Sequence, residues 1–176
     1  MNTNTATFRS QLGPLIFLTA IFCLNFLARI IMAPLMPTIE EKLGMTHGDA
    51  GSLFLLISLG YFVALVCSGF VSSHLLHRRT IILSAISVGL ALMGISLSNS
   101  VGLIRLALLL LGMAAGLYLP SGIATLTELI SAKHWGKAIA AHELAPNIGF
   151  VAAPLICEGL LSLFSWREIL RLLGGT

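Results

Sequence analysis

Five apolar blocks, each close to 20 residues or longer, restrict this chain more than any motif in it. They cover residues 12–36, 50–73, 80–98, 101–130 and 138–164, with short polar breaks between them. About 20 helical residues cross the hydrocarbon core of a bilayer. Charged residues are 10% of the 176 and hydrophobic ones 57%, against about 25% charged in a soluble domain. A water-soluble fold of this composition lacks the polar residues to cover its surface. The expectation is therefore all-α: a polytopic transmembrane bundle of five spans. Its domains read as a cytoplasmic tail over 1–11, the bundle over 12–164, and the start of a further span over 165–176.

The net charge of +3 is scattered along the chain, which predicts no nucleic-acid partner. Cys23, Cys67 and Cys157 lie in apolar segments at different depths, so they read as packing residues and not as a disulfide framework. Arg9 followed by Leu12–Ala28 has the character of a signal peptide. The block runs on to Leu35 without a prompt small-x-small cleavage site, however, and four spans follow, so it reads as a retained first helix.

Turn chemistry marks each break. Pro34, Pro37 and Glu40-Glu41-Lys42 end the first block, and Thr46-His47-Gly48-Asp49 can cap the second. His77-Arg78-Arg79 separates the second from the third, Asn99-Ser100 turns into the fourth, and 131–136 lead to the fifth. With the N-terminus inside, cytoplasmic segments hold Arg9, Arg78, Arg79, Lys133 and Lys137. The outer loops hold Lys42 and Arg105 beside Glu40, Glu41 and Asp49, as the positive-inside rule expects, with Arg167 and Arg171 counting against it. Thirty residues in the fourth block make about 45 Å of helix, too long to stand upright in a core of about 30 Å. It must tilt, kink at Pro120, or extend into the cytoplasm near Glu128. Pro146 and Pro154 predict bends in the fifth. The ending Arg171-Leu172-Leu173-Gly174-Gly175-Thr176, soon after a fifth span, reads as a truncated frame.

Small residues recur at four-residue spacing, at Ala141, Ala145, Gly149, Ala153 and Cys157, and again at Gly112 and Gly116. Such stripes let helices approach closely in lipid. Arg29 is the sharper signal. It lies within the first span, one turn after Asn25 on the same face, where an arginine costs about 2.5–3.5 kcal/mol to insert. It either snorkels to the outer interface or lines a cavity for an anion or proton relay. Glu128 and His142-Glu143, near cytoplasmic helix ends, read as solvated or interfacial groups, with an ion-pair latch as the alternative; Glu158 is similar. His74 and His77 lack the cysteine or carboxylate company of a metal site. No HExxH, nucleophile elbow or phosphate-binding glycine loop occurs, so neither enzyme, cofactor nor metal is expected.

Taken in order, these features resemble the N-terminal half of a major facilitator superfamily transporter. Arg29, Pro34, Pro37-Thr38-Ile39, Leu43-Gly44-Met45-Thr46, Gly51 and Gly60-Tyr61 look like its first two spans, especially in the organic-anion and sugar-phosphate branches. Residues 69–79 occupy the place of the loop after the second span. Gly69, Arg78 and Arg79 match the family pattern there, whereas Ser73, His74 and Leu76 replace its acidic, basic and glycine positions. Gly112, Gly116, Pro120, Glu128 and Gly136-Lys137-Ala138 resemble the fourth span and its loop, with Arg105 about a turn earlier than the family's arginine. Gly149, Ala153 and Pro154 resemble the fifth-span Gly-x-x-x-Gly-Pro element, and Ser165-Trp166-Arg167 the opening of the sixth span.

The resemblance implies five spans of a six-helix half built from inverted three-helix repeats. A faint internal echo relates 65–69 to 155–159. It further implies secondary active transport of a small solute by alternating access in a bacterial cytoplasmic (inner) membrane, with the C-terminal half as a missing partner and no transport by the fragment alone. Arg29, Asn25 and Tyr61 would contact an organic or inorganic anion. Gly69, Arg78, Arg79, Glu128, Gly149 and Pro154 would serve gating or structure. A non-transporting assembly or signalling subunit is the alternative.

Overall fold

The computed structural model describes residues 8–175, the side chains of residues 72–74 left aside. The readings placed on Ser73, on the His74 side chain and on the first seven residues lie outside them. The helices are α1 (Leu12–Ile30), α2 (Met32–Leu43), α3 (His47–His74), α4 (His77–Leu97), α5 (Val101–Gly116), α6 (Tyr118–Leu129), α7 (Trp135–His142), α8 (Leu144–Leu161) and α9 (Trp166–Gly174). Together they make five stretches long and apolar enough to cross a membrane: Phe8–Leu43, His47–Val71, His77–Leu97, Val101–Leu129 and Ala132–Leu161.

Three prolines explain why five spans contain more than five helices. The breaks fall at Ile31, Leu117 and Glu143, each three residues before a proline: Pro34, Pro120 and Pro146. A proline has no N–H for the carbonyl four residues back, and its ring crowds that carbonyl, so the helix gives way just after it. The kinks expected at Pro120 and Pro146 are thus present. Pro154, in contrast, lies inside an uninterrupted α8.

The first span does not end at Pro34 and Pro37, as the sequence suggested. Pro34 stands in the first turn of α2, where its missing N–H is harmless, and Pro37 is carried within the helix. The stop is Gly44, whose φ of 62° gives the left-handed cap that glycine adopts without penalty. His77, Arg78 and Arg79 are likewise not a separator but the first turn of α4; Leu75 and Leu76 make the break. The cap at Thr46 is as expected: its hydroxyl accepts from Asp49 N–H while the Asp49 carboxylate accepts from Thr46 N–H.

Span 1 packs on span 5 (α1 on α8) and span 2 on span 4 (α3 on α5), while α4 holds α5 on one side and α9 on the other. Exchanging spans 1, 2 and 3 with 4, 5 and 6 maps the first pairing onto the second, as an inverted repeat requires. The span 2–span 4 seam is glycine-built: a Cβ on Gly112 would overlap the Ile57 carbonyl, one on Gly60 the Leu109 carbonyl, and one on Gly116 would stand 2.7 Å from the Tyr61 carbonyl oxygen. Leu55, Phe62, Val66 and Phe70 project outward on span 2, the apolar rim a bilayer needs. Of the cysteines, Cys157 is buried, Cys23 half-buried and Cys67 exposed in this chain.

The arginines that strain the charge rule have structural work. Arg105 pairs with Asp49 at 3.2 Å. Arg167 donates to the Ser96 and Ser98 carbonyls at 2.6 Å each and stacks on Trp166 at 4.4 Å, closing the C-terminal carbonyls of α4. Arg167→Ala should destabilise the α4–α9 contact by about 1–3 kcal/mol, the cost of unsatisfied carbonyls; thermal unfolding in detergent, against Arg171→Ala as a milder comparison, reads it.

Candidate functional site

Arg29 lies fourteen residues before Leu43, and Tyr61 fourteen after His47. At 1.5 Å per residue both sit about 21 Å along the helix from the turn that joins spans 1 and 2, well inside their spans. There the Arg29 guanidinium stacks on the Tyr61 ring at 4.1 Å from its centroid and lies 5.3 Å from that of Phe26. Desolvated stacking of this kind is worth about 2 kcal/mol or more, close to the insertion cost of the charge.

Among the described residues no carboxylate pairs with Arg29, and its buried Nε has no partner. A guanidinium carries five N–H donors in a planar fork, so the group is stacked in place with its polar edge unanswered. Phe26 is held by Gly149, where a Cβ would come within 2.6 Å of the ring, and meets Phe150 edge-on at 4.9 Å.

Asn25 does not join this group. Four residues advance a helix by about 400°, and that residual turn sends the two side chains to different neighbours. Asn25 is buried and donates to Ser84 Oγ at 3.1 Å, which donates to the Ala114 carbonyl at 2.7 Å. It also borders an apolar cavity between spans 1 and 3 and α9, lined by Ile21, Ala28, Gly89 and Leu173. Gly69, Arg78, Arg79, Glu128 and Pro154 are exposed, and no ion pair involves Glu128 among the described residues.

Phe22, Tyr118 and His142 form a second aromatic layer that the sequence did not disclose. His142, expected to be solvated or interfacial, has a side chain 0% exposed. The fifth span begins several residues before 138, which carries His142 deeper, and two aromatic rings cover it. Phe22 stacks on it at 4.5 Å and on Tyr118 at 5.2 Å. Tyr118 Oη donates to the Leu18 carbonyl at 2.7 Å and lies 3.2 Å from His142 Nε2. Glu143 Oε1 is 3.4 Å from His142 Nδ1. Tyr118 and His142 stand directly beside the breaks at Leu117 and Glu143. Their spacing from Pro120 and Pro146 was the available signal.

This architecture defines a polytopic helical membrane protein, with Arg29 stacked among aromatic rings inside its spans. The sequence profile of the Major Facilitator Superfamily matches residues 18–176, and the chain belongs to that family. A galacturonate transporter from Dickeya chrysanthemi is 25% identical over 151 residues, 86% of this chain and 44% of that protein. The inner membrane metabolite transport protein YdjE of Escherichia coli (strain K12) is 29% identical over 119 residues, 68% of this chain and 26% of that protein. The chain thus matches less than half the length of either relative.

Proposed function

We propose that this chain is the N-terminal half of a secondary transporter for a carboxylate-bearing solute such as galacturonate, working by alternating access in a bacterial inner membrane. The observation that carries this reading is the Arg29 guanidinium, stacked on Tyr61 with no carboxylate partner among the described residues. A substrate carboxylate can take two parallel N–H bonds from such a fork, and sugar hydroxyls suit the Tyr61 and Phe26 rings beside it. The relative's name supports the choice of galacturonate. Transport further needs the ligand to favour one conformer over the other, which a site shared with a second half would provide.

Two outcomes test this. Cells expressing the protein from its own reading frame, with whatever flanks it there, should take up labelled galacturonate above control cells, whereas residues 1–176 alone in liposomes should match empty liposomes. Equal uptake by expressing and control cells would remove galacturonate as substrate.

The proposed orientation is N-terminus inside, with the 74–79 and 131–137 loops cytoplasmic. With Cys23, Cys67 and Cys157 replaced by serine, Arg78→Cys should resist an impermeant thiol reagent until cells are lysed; labelling of intact cells would reverse the topology.

A further inference from the structure

A serine or threonine inside a helix ordinarily returns its hydroxyl hydrogen to a carbonyl three or four residues back, as Thr19, Ser52, Ser68 and Thr125 do in this chain. Ser84 does not. Its hydrogen crosses from span 3 to span 4 and meets the Ala114 carbonyl at 2.7 Å. The break at Leu117 accounts for that carbonyl: Ala114 belongs to the last turn of α5 before its cap, where carbonyls lack a donor within the helix. A carbonyl can only accept, so the single Ser84 hydrogen is committed there. The contact with Asn25 at 3.1 Å is therefore donated by the Asn25 amide NH2. Asn25 is 5% exposed and Ser84 0%.

These two bonds close a circuit through the candidate anion site. Ala114 lies midway between Gly112 and Gly116, and the Tyr61 backbone rests against both. A Cβ on Gly112 would stand 3.0 Å from the Tyr61 amide nitrogen, and one on Gly116 2.7 Å from the Tyr61 carbonyl oxygen. Tyr61 carries the ring beneath the Arg29 guanidinium, 4.1 Å away. Arg29 follows Asn25 by one turn of α1, a rise of about 6 Å. From Arg29 the path runs through Tyr61, the glycine seam, Ala114, Ser84 and Asn25, and so returns to span 1. Each step between spans is a packed contact or a hydrogen bond.

We propose that Asn25 and Ser84 are positioning residues for the Arg29–Tyr61 pair. They touch neither side chain. The seam fixes span 2 to span 4, and the two hydrogen bonds fix the α5 arm of span 4 to span 1, one turn from Arg29. The Tyr118 bond to the Leu18 carbonyl anchors the other arm, α6, across the break. Together these contacts set where the Tyr61 ring stands under the guanidinium. A group fixed in advance costs less to order when its ligand arrives, so Asn25 and Ser84 raise anion affinity without contacting the anion. That effect on affinity rests on the anion reading above; the placement of the ring does not.

The test uses the protein expressed from its own reading frame, labelled with nitrogen-15 in its arginine side chains and placed in lipid nanodiscs. A guanidinium over an aromatic face is shielded by the ring current, so one arginine resonance should stand apart and lose its displacement in Tyr61→Leu. Ser84→Ala should move that resonance toward the other arginines. Asn25→Ala should move it the same way, because Ser84 can then return its hydrogen to the Thr80 carbonyl; this variant carries the test if Ser84→Ala does not fold. Thr19→Ala removes a hydroxyl bonded to the Leu15 carbonyl of its own helix and should leave the resonance in place. Galacturonate affinity should fall by about 2- to 10-fold in Ser84→Ala and Asn25→Ala, the span of one neutral hydrogen bond. A lowered unfolding temperature with an unmoved resonance would reduce both residues to packing and overturn the proposal, as would an equal displacement in Thr19→Ala. A displaced resonance with undiminished galacturonate affinity would overturn the effect on the anion. A displaced resonance in a protein whose wild type binds no galacturonate would confirm the positioning and sink the anion reading.

Discussion

Arg29→Ala should lower the affinity for galacturonate by roughly 10- to 150-fold, the equivalent of losing a charge-assisted hydrogen bond of about 1.5–3 kcal/mol. The amount of inserted protein should hold or rise, since the first span no longer carries a charge costing about 2.5–3.5 kcal/mol. Arg29→Lys should fall between the two. An ammonium keeps the charge but gives up the planar fork and the ring-on-ring stacking on Tyr61, so binding weakens without vanishing. Equilibrium binding normalised to inserted protein separates these outcomes. Near-normal affinity in both variants would leave Arg29 with no part in substrate contact.

Gly112→Ala should cost about 1–3 kcal/mol of stability, in the range for overpacking a tight interface, and Gly112→Leu should prevent recovery of folded protein in detergent. A Cβ there overlaps the Ile57 carbonyl and stands 3.0 Å from the Tyr61 amide nitrogen. Those are backbone atoms and cannot rotate aside, so spans 2 and 4 must separate. The effect should also reach the site. Gly112 and Gly116 both bear on the Tyr61 backbone, and moving it takes the ring from under the guanidinium. Alanine at Gly94, where the nearest atom is 4.0 Å from the added carbon, should change neither unfolding temperature nor galacturonate affinity. Equal behaviour of Gly112→Ala and Gly94→Ala would refute the seam.

The spans were legible because twenty-residue apolar blocks are insensitive to one or two misplaced ends. Boundaries were less so, and proline was the reason. Pro34 and Pro37 look like terminators, yet Pro34 costs α2 nothing in its first turn and Pro37 is carried within that helix; Gly44 held the true stop. Of the site, Arg29 and Tyr61 were legible as an intramembrane charge and a nearby polar ring on adjoining spans. Asn25 was misgrouped because helical periodicity gives a face to within about 40° and not the neighbour a side chain reaches. The layer formed by Phe22, Tyr118 and His142 joins three spans. The spacing of Tyr118 and His142 from Pro120 and Pro146 marks the helix breaks they adjoin, but it does not distinguish a covered imidazole from a solvated one.

The central claim, that Arg29 is held inside its span for a substrate carboxylate, can be measured as a distance. Galacturonate labelled with carbon-13 at its carboxyl, bound to protein labelled with nitrogen-15 in its arginine side chains, should show in solid-state NMR a dipolar contact of about 3–4 Å, the spacing of a bidentate pair. Arg29→Ala should abolish that contact while leaving the other arginine signals in place. Bound galacturonate whose carboxyl contacts no arginine, or whose contact survives Arg29→Ala, would contradict the assignment.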